Sequence, residues 1–135
     1  MAGDGDFPEL SPEALARAEA ALAGLADRYM DWAMADSARL CACLDEAMAP
    51  GADLAILLPR LFTISHDMKG QAATFGYPLV SELGNRLCRL IETEPSPGQE
   101  SLGRMERLVR GMAQVIAQRL DGDGGAVGQD LLNEV

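Results

Sequence analysis

Apolar residues recur at helical spacing along most of the chain. Leu54, Leu58, Leu61, Ser65, Met68, Ala72 and Phe75 alternate steps of four and three, the seam of a bundle helix, and Leu57 and Ile64 widen that face. The pattern predicts a helix over 53–76, with Pro59 as an early kink because it lacks an amide donor. Upstream, Ser11-Pro12-Glu13 supplies an N-cap, a proline for the first helical position and an acid in the first turn, so a short helix is expected to run to about Gly24. A helix over 25–48 follows, with Leu25, Tyr29 or Trp32, Leu40, Leu44 and Met48 on its apolar side and Pro50-Gly51 as its stop. The two can equally be one element with a break at Gly24. Gly76 before Tyr77-Pro78 reads as a helix-ending glycine followed by a sharp turn. Two further helices are expected over 78–93 and 99–120, on either side of the turn Pro95-Ser96-Pro97-Gly98. The first turns Val80, Leu83, Leu87, Leu90 and Ile91 inward. The second buries Leu102, Met105, Leu108, Met112, Val115 and Ile116 and leaves Arg104, Arg107 and Arg110 outside.

Four long amphipathic segments with short links point to an all-α fold, an antiparallel four-helix bundle with an additional short N-terminal helix. The chain of 135 residues has room for one such domain, placed at 11–120. Residues 1–10, rich in Gly, Asp and Pro, are expected to be disordered. Residues 121–135 are expected to form a flexible acidic tail, and Asp121-Gly122-Asp123-Gly124-Gly125 lacks the further ligands and closing glutamate of a calcium loop.

Charge narrows the range of partners. A formal net charge of -10 argues against nucleic acid, whose binding is built from cations facing phosphates. Residues 51–95 are nevertheless close to neutral, with Arg60, Lys69, Arg86 and Arg89 offsetting most of their acids, so this segment can receive an acidic partner surface. Cys41, Cys43 and Cys88 have no metal or redox spacing and read as apolar fillers in a reducing compartment. Without a signal sequence or a membrane-length apolar run, a cytoplasmic protein is expected. A monomer is expected too, because four segments can close one bundle, with a dimer through the first helix as the alternative.

The candidate chemistry lies in Ser65-His66-Asp67-Met68-Lys69-Gly70. His66 is the sole histidine and Lys69 the sole lysine, three residues apart on one helical surface, and Gly70 stands one turn beyond the histidine. At about 100° per residue, His66 lies roughly 120° from the seam, on the flank of the helix. Phe62 and Ala73 share that flank. Helical side chains lean toward the N-terminus, so position 70 would cover the base of His66, and glycine leaves the ring accessible. A nucleophile, a cation and an opening suit a histidine that carries a phosphoryl group. The same residues can also be an ordinary surface histidine, a solvated lysine and a glycine that permits close helix approach. Metal binding lacks a second histidine, and serine-type catalysis lacks its partners.

The stretch from Ser65 through Lys69-Gly70 to Phe75-Gly76, continued by Leu83-Gly84 and Leu87, resembles the signature of histidine-containing phosphotransfer (HPt) domains. The resemblance implies a bundle with His66 exposed in mid-helix as phosphoacceptor on Nε2, Lys69 stabilising the phosphoryl oxygens and Gly70 giving steric access. Phe62, Ala73 and Arg86 would contribute to the partner surface. It implies a phosphorelay intermediate between receiver domains, one of a hybrid histidine kinase and one of a response regulator, or a bundle that only binds and sequesters a receiver. No cofactor would be bound intrinsically, and Mg²⁺ would reside on the receiver. No phosphate-binding loop accompanies these residues, so a phosphocarrier without autonomous kinase activity is expected.

Overall fold

A computed structural model describes residues 11–135, and the disorder expected for residues 1–10 lies outside them. The described chain is all-helical, with five helices and no strand. They are α1 (Pro12–Met48), α2 (Leu54–Ala72), α3 (Pro78–Thr93), α4 (Gln99–Ala117) and α5 (Gly125–Glu134). α2 packs on α1 and α3, and α4 packs on α3 and α1, so each of the first four helices touches two others around one core. Among the described residues no helix is long and apolar enough to cross a membrane.

The first two expected helices are one. The Ser11 hydroxyl accepts from the Ala14 amide at 3.1 Å, and α1 then continues through Gly24 for 37 residues. One glycine among alanines and leucines costs about 1 kcal/mol of helix stability, too little to break the element. The separate short N-terminal helix is therefore corrected to the first part of α1. Leu25 and Met48, expected on the buried side, are 42 % and 41 % exposed, and Trp32 stands out at 54 % whereas Tyr29 is buried. The core face begins at Tyr29, whose ring stacks on Phe75 and Tyr77.

α2 runs through Pro59. The carbonyl deprived of its donor belongs to exposed Ala55, where water can reach it, and the Thr63 hydroxyl donates to the Pro59 carbonyl at 3.0 Å. The helix stops at Ala72 rather than Gly76. The chain then tightens until Gly76, at φ +89°, reverses it, with the Tyr77 amide donating to the Ala72 carbonyl at 2.8 Å. Leu40, Leu44, Leu61, Leu83, Leu87, Met105, Met112 and Ile116 form the fully buried centre.

The flexible tail is the second correction. Gly122, Gly124 and Gly125 adopt positive φ and turn the chain into α5, and the Gly122 amide donates to the Gly76 carbonyl at 3.0 Å. Leu131 is 7 % exposed, and the Leu132 carbonyl accepts from Arg86 at 3.2 Å. Glycines that suggest disorder by composition here make a turn and a close contact. A Cβ on Gly128 would fall 2.9 Å from Leu79 Cδ1 and closer still to the Asp123 backbone.

Candidate functional site

The face of α2 turned toward α3 is fixed by a run of short side chains. Ser65 is buried and donates to the Gly84 carbonyl at 3.2 Å, while the Ser81 hydroxyl donates to the Lys69 carbonyl at 2.7 Å. The Cys88 thiol lies 3.6 Å from the Ser65 hydroxyl, and burial pushes its pKa up, so it stays a protonated packing group. Gly84 lets the two helices approach. A Cβ there would lie 2.9 Å from Lys69 Cβ and 3.2 Å from Met112 Cε.

This anchoring sets out the next row of residues at the edge of the groove. His66 is exposed, and its ring stacks on Phe62 with centroids 5.8 Å apart and planes 20° from parallel. Lys69 is half-buried along its stem, and its ammonium donates to Asn85 Oδ1 at 3.0 Å. An ammonium has three donors, so two remain for an incoming anion. Asn85 also carries an amide NH₂ that can donate in turn. The site therefore combines an accessible imidazole with a cation whose position is set by the neighbouring helix.

Gly70 is exposed, and a Cβ built there would meet nothing within 4 Å. The close-approach reading of this glycine therefore fails, since that role belongs to Gly84. Ala73 is exposed on the same helix, just past its end. Phe62 is half-buried and joins Ala55, Leu58, Pro59, Thr63, Ile91, Glu92 and Pro95 around an apolar groove of about 660 Å³. An apolar surface thus extends from the histidine toward the start of α2.

Arg86 is held elsewhere. Its guanidinium pairs with Glu82 at 3.0 Å and donates to the Leu132 carbonyl of α5, lining a cavity with Arg89 and Arg104 rather than engaging His66 or Lys69. The residue that sequence reasoning missed is Asn85. The signal for it was its place beside Gly84, where α3 leaves no room for a Cβ against Lys69 of α2.

Among the described residues no group of three or more His, Cys, Asp or Glu side chains is placed to hold a metal ion. No family model, curated protein or solved structure matches the chain.

Proposed function

We propose that this protein is a histidine phosphotransfer carrier, with α1 to α4 forming an antiparallel four-helix bundle that presents His66 to receiver domains. The observation that carries the reading is the combination at His66. The imidazole is exposed, the Lys69 ammonium is fixed by Asn85, and Gly70 breaks the side-chain cover where no packing among the described residues requires a glycine. A glycine inside a helix costs up to about 1 kcal/mol relative to alanine, somewhat less in the last turn of α2 where Gly70 lies, so a use outside the chain accounts for it better than packing among the described residues does.

The transfer balances without further groups from this chain. Neutral His66, protonated on Nδ1, presents the Nε2 lone pair to the phosphorus of an aspartyl phosphate. The N–P bond forms as the acyl O–P bond breaks, the aspartate leaves as a carboxylate, and the ring carries the positive charge. Passing the group to a second receiver reverses these steps. Lys69 meets the charge on the equatorial oxygens, and alignment supplies most of the remaining rate. Mg²⁺ and the acidic pocket that binds it belong to the receiver on this reading.

Incubation with a phosphorylated receiver and Mg²⁺ tests the proposal. Acid-labile, alkali-stable phosphate should appear on the wild-type chain and not on His66→Gln. Labelling of His66→Gln, or a wild-type chain that binds receivers from a broad panel but takes phosphate from none, would overturn it. The second result would leave a bundle that only sequesters receivers.

A further inference from the structure

Three arginines line one cavity in a chain whose formal net charge is -10. Arg86 and Arg89 come from α3 and Arg104 from α4, while Val135, which follows α5, closes a further side. The cavity has a volume of about 330 Å³, and Leu90, Leu108 and Val135 give it an apolar wall. Grouping like charges around one concave site costs repulsion that an anion would relieve.

These guanidiniums are not used up inside the chain. Arg89 is exposed, and its guanidinium makes no ion pair among the described residues. Arg104 stands 3.9 Å from Glu94, beyond hydrogen-bond reach, and Glu94 itself accepts from the Ser101 hydroxyl. Arg86 is held from two sides, by Glu82 at 3.0 Å and by the Leu132 carbonyl at 3.2 Å. A guanidinium has five N–H donors, so these contacts fix Arg86 in place and leave donors for a ligand. Set against Glu94 in the lining and Glu82 beside Arg86, the three arginines leave an excess of positive charge.

The geometry points to a binding site for a small organic phosphate monoester with an apolar body. Guanidinium forks match the oxygens of phosphate and carboxylate alike. A carboxylate has two acceptor oxygens in one plane, whereas a phosphate monoester offers three around a tetrahedral centre, which suits three arginines arriving from two helices. The wall of Leu90, Leu108 and Val135 favours a ligand with a carbon body over inorganic phosphate. The volume lies near the lower end of the range for ligand pockets, about 300–1,000 Å³, and so selects a small molecule. His66, Lys69 and Gly70 take no part in this lining, so the site stands or falls apart from the phosphotransfer reading.

Titration of the isotope-labelled full chain with phenyl phosphate in low salt, followed by NMR, tests the inference. Saturable shifts are expected at the side-chain Nε–H signals of Arg89 and Arg104, with a dissociation constant of about 1 mM or below. Arg89→Gln and Arg104→Gln should each weaken binding about tenfold, and because both side chains are exposed the fold is kept. Lys69→Ala should bind as the wild type does, and inorganic phosphate and benzoate should bind several-fold more weakly. Absence of saturable shifts up to tens of millimolar, wild-type affinity in both arginine variants, or loss of binding in Lys69→Ala would overturn the inference. So would benzoate or inorganic phosphate binding as tightly as phenyl phosphate. A phosphotyrosine peptide that bound far more tightly than phenyl phosphate would overturn it too, since the site would then serve a modified partner protein.

Discussion

Two glycines near the candidate site should respond to alanine in opposite directions. Gly70→Ala adds a methyl group into open space, with no atom within 4 Å apart from its chain neighbours and its own helix backbone, and removes a residue that is poor in helices. The expected gain is about 0.5–1 kcal/mol, a rise in Tm of roughly 2–5 °C for a chain of this size. Gly84→Ala collects the same helical preference but sets its methyl group 2.9 Å from Lys69 Cβ, next to the α2 backbone, and 3.2 Å from Met112 Cε. The methionine terminus can yield, whereas Lys69 Cβ moves only with its helix. Overpacking of this kind costs about 1–3 kcal/mol, so the net result is a loss of about 1 kcal/mol. Urea and thermal unfolding followed by circular dichroism at 222 nm measure both. A destabilised Gly70→Ala would show that the glycine is required by the fold, and the access argument would lose its basis. A Gly84→Ala as stable as Gly70→Ala would show that α2 and α3 are not in tight contact at Lys69. A bulkier group at position 70, such as Phe, should leave helicity intact and slow phosphoryl transfer, and unchanged transfer would contradict the steric reading.

Loss of the charge-assisted contact in Lys69→Ala should slow transfer by about 10- to 100-fold, corresponding to about 1.5–3 kcal/mol, while Asn85→Ala, which frees the ammonium without removing it, should cost only a few-fold; quenched-flow kinetics with a phosphorylated receiver would separate them. Burial, with smaller contributions from Tyr77 and Asp36, raises the Tyr29 pKa from 10.0 to about 12. The folded state therefore holds this proton more tightly, its contribution of about 2–3 kcal/mol is complete below pH 10 and is lost as pH rises toward 12, and a Tyr29→Phe variant with the same alkaline decline in urea midpoint would refute it. Leu131→Ala should destabilise the chain by about 2 kcal/mol if α5 is docked as described, and an unchanged melting temperature would show that it is not.

The parts of the fold that were legible in the sequence are those in which one periodicity accounts for a whole segment. The alternation from Leu54 to Ala72 and the inward rows of α3 and α4 repeat a single packing relation, so local pattern and tertiary contact agree. The failures share a cause, which is that glycine has more than one use. Gly24 read as a break but lies in a strong helix-forming context. Gly122, Gly124 and Gly125 read as disorder but turn the chain so that Leu131 can be buried. At the site, His66, Lys69 and Gly70 were legible because they lie within one helical turn or so. Asn85 was not, because its meeting with Lys69 depends on the register between α2 and α3, set by Gly84 and Ser65 and visible only once both helices are packed. The contact of Arg86 with the Leu132 carbonyl was hidden for the same reason, since α5, which carries that carbonyl, was read as a tail.

On the proposed reading, what the site lacks matters as much as what it has. The surface around His66 offers a nucleophile, one held cation, an amide and an apolar groove beginning at Phe62. None of these favours attack on an aspartyl phosphate over the reverse step, because Lys69 can meet the same equatorial oxygens whether the phosphorus is moving toward nitrogen or away from it. A carrier built this way contributes alignment to both half-reactions and bias to neither. The direction of flow then follows from the relative stabilities of the two receiver phosphates and from which receiver is present in excess. Substitutions at Lys69 should accordingly slow forward and reverse transfer by the same factor and leave the equilibrium between receivers unchanged. Unequal slowing of the two directions of a single receiver-to-histidine step would refute this, because it would mean that Lys69 stabilises the phosphohistidine itself and not only the passage of the phosphoryl group.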